Sequence, residues 1–250
     1  MKLNKIFRPL KRYWIKLRLK PIDVYVFHMV SETYNPLYGG KEDWISIDYF
    51  QERLLQLQKR YKFITLSNAI NHIKYDKIRF KRYAVLTADD GYQMILPLLP
   101  WLKEHNIPVT LFINTRFLEG DILKPIHIAY LTREYPNADI QEIKDMLYMK
   151  WSHLKTLFPL GVEVGMHGHN HLESTTLTDE NFRKEVHTCY SLLKEHTCFI
   201  PFFAYPWGRH NAQTDAILKE YNIIPVLMDG MKNYNDASCI HRELLDNYDK

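Results

Sequence analysis

Short apolar runs rich in β-branched and aromatic residues alternate along the chain with stretches whose apolar positions recur every three to four residues. Residues 23–30 (DVYVFHMV), 63–66, 83–87 (YAVLT), 109–114 (VTLFIN), 162–166, 199–205, 223–227 and 239–244 have strand composition. Between them lie helical patterns. In residues 48–61, Phe50, Leu54, Leu57 and Tyr61 share one helical face. A second helix follows with Ser67 as its N-cap, residues 92–105 and most of 126–158 read as helical, and 178–195 is a helix capped by Thr178. Residues 211–221 form the last one. Strand–helix alternation predicts a parallel sheet, and about eight strands in a chain of this length predict an α/β fold. The expected form is a distorted (β/α) barrel of about seven to eight strands, a single domain over residues 22–250.

That architecture directs attention to strand ends, because sites on parallel sheets are built at the C-terminal mouth. Four of the expected strands end in ionisable or turn-forming groups: His28, Asp89-Asp90-Gly91, His167-Gly168-His169-Asn170-His171, and Tyr205-Pro206-Trp207-Gly208. In a parallel barrel all four converge on one rim.

Charge divides the chain unevenly. Residues 1–20 hold eight Lys/Arg and no acid, so the remainder carries 25 basic against 29 acidic residues. Leu3, Ile6/Phe7, Leu10, Trp14 and Leu17 form one helical stripe in this front segment, interrupted at Pro9. Residues 1–21 are therefore expected to form a basic amphipathic segment, either docked on the body or lying on an anionic membrane surface. The charges interrupt any signal-peptide core, no apolar run is long enough to span a bilayer, and the body lacks a basic patch for nucleic acid. Three cysteines (Cys189, Cys198, Cys239) form no C-x-x-C pair, which favours free thiols in a reducing compartment. The expected location is the cytoplasm, at the inner face of the membrane.

Two adjacent carboxylates after a buried strand are costly unless a cation sits nearby. His167 and His171, four residues apart, can turn both imidazoles toward one ion. One Asp and two His make a three-ligand site with open positions, the arrangement of a hydrolytic ion, and the second Asp is then free to accept a proton. His169 is the odd histidine, available to orient a ligand or substrate.

Leu86-Thr87-Ala88-Asp89-Asp90-Gly91 resembles the T-F-D-D-G motif of the polysaccharide deacetylase (NodB-homology) family, and His167-x-x-x-His171 resembles its H-[ST]-x-x-H motif. Ala204-Tyr205-Pro206-Trp207-Gly208 is similar to the family's R-x-P-Y-G strand end, and residues 98–114 to its "LLKKHGIPATFF" stretch. The resemblance spans residues 22–245. It implies that Asp89 is the general base, that Asp90, His167 and His171 hold a divalent metal (Zn²⁺ by its donors), and that the Trp207 N–H helps hold an oxyanion. The family's general acid lies in an L-x-H block near the C-terminus, before a helix and a G-Y-x-F-x-T-L strand. Here Phe27-His28, then a helix, then Tyr61-Lys-Phe-Ile-Thr-Leu66 stand at the front. This order resembles the circularly permuted branch that includes poly-N-acetylglucosamine deacetylases, which makes His28 the acid and His241 its rival.

Three positions depart from the pattern. Ala88 replaces the motif Phe, Gly168 replaces a Ser/Thr, and Ala204 stands where an Arg orients the base, a role left to Arg242 or Arg209. Trp44, Trp207, Tyr92 and Tyr205 are expected either to stack on a pyranose or to pack in the core or at the rim. The implied activity is metal-dependent removal of an N-acetyl group from a glycan or lipid-linked sugar precursor. A non-sugar amide or imide substrate, or a non-catalytic membrane-associated partner, are the alternatives.

Overall fold

The computed structural model describes residues 19–35, 40–119 and 147–245. The amphipathic pattern of residues 1–18 and the first part of the helical pattern at 126–158 lie outside them.

Parallel strands form the core of the fold. They are β1 (Ile22–Phe27), β4 (Lys62–Phe63), β5 (Tyr83–Ala88), β6 (Val109–Ile113), β7 (Glu163–Met166), β8 (Phe199–Ala204), β9 (Ile224–Leu227), β10 (Ile240–His241) and β11 (Glu243–Leu244). They run in the order β10-β9-β8-β7-β6-β5-β1-β11, with β4 beside β5, as a nearly closed barrel. A separate parallel pair, β2 (Met29–Ser31) and β3 (Trp44–Ser46), lies off the sheet. The helices are α1 (Ile47–Gln58), α2 (Leu66–Tyr75), α3 (Leu99–Glu104), α4 (Trp151–Leu157), α5 (Asp179–Leu193) and α6 (Ala212–Glu220).

The two-residue period of the strands divides the core into two layers. Ile22, Val24, Val85, Phe112, Phe202, Ala204, Val226 and Ile240 pack together inside the barrel, where α2 adds Leu66, Ala69, Ile70 and Ile73. Tyr25, Leu86, Leu111, Ile113, Val164, Met166 and Phe203 form the outer layer against Phe50, Leu54, Leu154, Phe182, Val186 and Ile217 of the helices. Gly165 is needed in β7 because a Cβ there would collide with the Phe112 ring.

Four local expectations are corrected. The strand expected over 23–30 breaks at His28, which leaves the sheet between β1 and β2. The cap of α2 is Thr65, whose hydroxyl accepts from Asn68 N–H at 3.1 Å, rather than Ser67. The helix expected over 92–105 is a 3-10 segment (Gln93–Leu98) containing Pro97, followed by the short α3. The strand expected over 239–244 is two strands on opposite edges of the sheet: β10 pairs with β9, and β11 with β1. Only Arg242 separates them, so this one stretch draws the two edges together.

Candidate active site

Register carries the rim residues to one place. Phe27 of β1 is level with Ala88 of β5, so His28 and Asp89 leave the sheet side by side. His28 Nε2 lies 4.0 Å from Asp89 Oδ2. Ile113 is level with Met166, and the next residues are joined when Asn114 Nδ2 donates to the His167 carbonyl.

Asp90, His167 and His171 converge. One potential ligand atom from each lies within 4.8 Å of the others. Asp90 Oδ1 is 3.0 Å from His171 Nε2 and 3.6 Å from His167 Nε2. The tautomer of His167 follows from its partner: Nδ1 donates to the Ala204 carbonyl at 2.8 Å, leaving the Nε2 lone pair aimed into the cluster. Burial pushes the His167 pKa down to about 4, so the ring is neutral at physiological pH. A carboxylate and two imidazoles converging on one point fit a divalent ion of the Zn²⁺ type.

This convergence requires unusual backbone. Asp90 (φ 71°), His171 (φ 55°) and Trp207 (φ 55°) all occupy the left-handed region. Each such residue costs of order 1–3 kcal/mol, which the surrounding hydrogen bonds must offset. The histidine loop has a clear support: Glu185 Oε2 accepts from the N–H groups of His169 (3.0 Å) and Asn170 (2.8 Å). Glu185 thus buttresses the loop in which Gly168 replaces the motif Ser/Thr. The sequence holds a signal for it, since Glu185 interrupts the apolar face of Phe182, Val186 and Cys189 on α5. His169 turns away to Thr115, with 2.8 Å between Nδ1 and Oγ1.

Asp89 is buried and clamped. Arg242 donates NH1 to Oδ1 at 2.7 Å and NH2 to Oδ2 at 2.8 Å. Burial alone would raise the pKa of this carboxyl, but the Arg242 guanidinium, with His167 and His28, holds it below the usual carboxylate value. Arg242 is itself only 1% exposed and lies 5.3 Å over the Phe112 ring. Of the two arginines considered for the place left by Ala204, Arg242 reaches Asp89. Arg209 is exposed and lies 3.8 Å from Glu173. His241 is engaged elsewhere, with Nδ1 2.8 Å from Asp229 Oδ2 and Nε2 3.5 Å from Cys239 Sγ.

The four rim aromatics separate. Trp207 is exposed, with its indole 4.5 Å from the His171 ring, edge to face. Trp44 is half-buried and donates Nε1–H to Ser31 Oγ at 2.9 Å. Tyr205 is buried, with its hydroxyl 2.8 Å from Asp215 Oδ1, and offers no face to a ligand. Tyr92 is also buried, and burial together with its hydrogen bond to Asp90 holds its hydroxyl protonated far above neutral pH. It stacks on Tyr148 at 5.3 Å, so it supports a metal-ligand candidate from behind.

A profile of the polysaccharide deacetylase family matches residues 77–226, more than half of the chain. The chain belongs to the polysaccharide deacetylase family. It is accordingly an enzyme of carbohydrate deacetylation. No curated protein sequence matches it. Solved structures share the fold: IcaB from Ammonifex degensii superposes with a TM-score of 0.68 at 21% identity, covering 90% of this chain and 91% of that one. Streptococcus pyogenes deacetylase PplD, in complex with acetate, gives 0.69 at 18%, covering 92% and 94%. A de-N-acetylase from Aggregatibacter actinomycetemcomitans gives 0.69 at 17%, covering 92% and 96%.

Proposed function

We propose that this polysaccharide deacetylase is a metal-dependent hydrolase that removes N-acetyl groups from a glycan or a lipid-linked sugar precursor and releases acetate. The observation that carries this reading is the pairing of two different carboxylates. Asp90 lies among imidazole donors, while its neighbour Asp89 is held ionised by Arg242. The relatives described as a de-N-acetylase and as a deacetylase in complex with acetate support the N-acetyl bond as target.

Asp90, His167 and His171 would hold the ion. When bound, a divalent ion such as Zn²⁺ polarises the acetyl carbonyl and lowers the pKa of a water to about 7. Asp89 accepts a proton from the attacking water; its two oxygens are fixed by the Arg242 fork, which leaves further lone pairs for that proton. The oxyanion that develops on the acetyl oxygen is met by the Trp207 backbone N–H. His28, beside Asp89, protonates the departing sugar nitrogen as the C–N bond breaks. The indole of Trp207 offers an exposed aromatic face to the sugar. The basic residues 1–20 would approach an anionic membrane surface from the cytoplasmic side.

Metal analysis together with acetate release from N-acetylated oligosaccharides tests the assignment. Bound divalent metal and stoichiometric acetate and free amine are expected. Acetate release that is indifferent to chelator, or none from any N-acetyl sugar in the metal-loaded protein, would overturn it.

A further inference from the structure

The barrel end opposite the catalytic rim carries an inversion of the usual polarity. The loop from α2 to β5 reads Tyr75-Asp-Lys-Ile-Arg-Phe-Lys-Arg82. Its charged Arg79 is 2% exposed, whereas Phe80 is 74%, Tyr75 75% and Ile78 49% exposed. Proteins ordinarily do the reverse. The inversion is fixed by bonding: Arg79 donates to the carbonyls of Lys20 (2.6 Å), His72 (3.0 Å) and Tyr234 (2.6 Å). Because Arg79 is turned inward, its neighbours Ile78 and Phe80 are turned out. Lys74, Lys77, Lys81 and Arg82 are exposed around these apolar side chains. The loop's acid, Asp76, is paired with His72 at 2.9 Å.

Apolar tips ringed by basic side chains match the headgroup boundary of an anionic bilayer, where rings insert and each cation near the surface adds to the attraction. The chain's own front segment is a poor occupant of the patch. Leu19 pairs with Arg79, and residues 1–20 carry eight basic residues and no acid, the same sign of charge as the loop's lysines.

We propose that the loop over residues 74–82 is a membrane-docking surface for anionic lipid, which seats the barrel on its N-terminal end with the catalytic rim pointing away from the bilayer. This deepens the membrane reading of residues 1–20 given above and adds an orientation to it. A six-residue strand such as β1 spans about 20 Å. The rim is then held about that far from the lipid surface, a reach that favours an extended glycan over a sugar lying at the headgroups.

The test uses the full chain and phosphatidylcholine vesicles with and without phosphatidylglycerol. A loop variant (Tyr75→Ser, Ile78→Ser, Phe80→Ser) is compared with a front variant in which the Lys and Arg of residues 1–20 are replaced by Gln. Wild type is expected to sediment with the anionic vesicles in a salt-sensitive way. The loop variant should bind about tenfold more weakly or worse, with unchanged turnover of a soluble N-acetyl oligosaccharide. A loop variant that binds like wild type while the front variant does not would overturn the loop proposal and leave the reading of residues 1–20 standing. No wild-type binding would overturn both. Suppression of oligosaccharide turnover by bound vesicles would put the rim on the lipid and overturn the orientation. A wild-type dimer that becomes a monomer in the loop variant, without vesicle binding, would make the patch an interface between copies.

Discussion

Replacing Arg242 with Met tests the core of the catalytic argument, because it removes the guanidinium and keeps most of the side chain's volume. Two hydrogen bonds of 2.7 and 2.8 Å disappear, and Asp89 remains buried at 5% exposure without its cation. Breaking a buried ion pair from one side costs about 3–5 kcal/mol, a large share of the 5–15 kcal/mol that typically holds a domain folded. The variant should therefore melt earlier yet still fold. Burial, the largest influence on Asp89 and one that raises its pKa, would then be opposed only by His167 and His28. The acid limb of kcat/KM should move to higher pH, and kcat should fall by about 10²–10⁴, the usual worth of a general base. Metal content should not change, since Asp90, His167 and His171 are separate from the Arg242 pair. Arg242→Lys keeps the charge but loses the fork, so it should recover the pH limb better than the rate. Wild-type kcat with an unmoved acid limb in a folded, metal-loaded Arg242→Met protein would refute the reasoning.

Other expectations follow from the same geometry. His171→Ala should lose metal and activity in parallel, whereas Asp89→Asn should keep the ion and lose most turnover; plasma emission spectrometry beside an acetate assay separates them, and metal loss in Asp89→Asn would exchange the two aspartates. His28→Gln should reduce turnover of unactivated N-acetyl sugars by about 10²-fold or more, while His241→Gln, whose ring is tied to Asp229 and Cys239, should stay near wild type. In metal-free protein, the unfolded chain gains a proton at an ordinary His pKa of 6.5, while folded His167 resists one until about 4. Stability should thus be complete above pH 6.5 and fall by up to about 3 kcal/mol toward pH 4. His167→Gln should lose that part of the slope in urea titrations, and an identical slope would contradict it.

Much of this arrangement was legible in the pattern of residues. The strands β5, β6, β7, β8 and β9 are each marked by an apolar run, and Asp89, Asp90, His167 and Trp207 follow such runs closely. What stayed hidden depended on contacts far apart in the chain. Nothing in residues 239–244 distinguishes one strand from two, because the division arises from the two sheet edges that Ile240–His241 and Glu243–Leu244 meet. The sequence names Arg242 with Arg209 as its alternative, and the fold brings Arg242 to Asp89 while Arg209 lies at the surface. For Tyr205 and Tyr92 the sequence leaves stacking on a sugar and packing both open, because composition does not say which way a side chain at a strand end will turn; both pack in the interior. The Ser67 cap failed for a local reason: Thr65 stands two residues earlier and captures Asn68 N–H first.

The seam at Arg242 also sets an order of assembly. Asp90, His167 and His171 follow β5 and β7, separated only by β6, so part of the sheet already brings the candidate metal ligands together. The partner of Asp89 lies 153 residues further along and arrives only when β10 and β11 unite the two edges. On the proposed reading, the three candidate metal ligands can meet before the seam closes, whereas the Asp89–Arg242 pair cannot form until it does. The Asp89–Arg242 pair therefore depends on closure of the whole sheet, while the cluster of Asp90, His167 and His171 depends on only part of it.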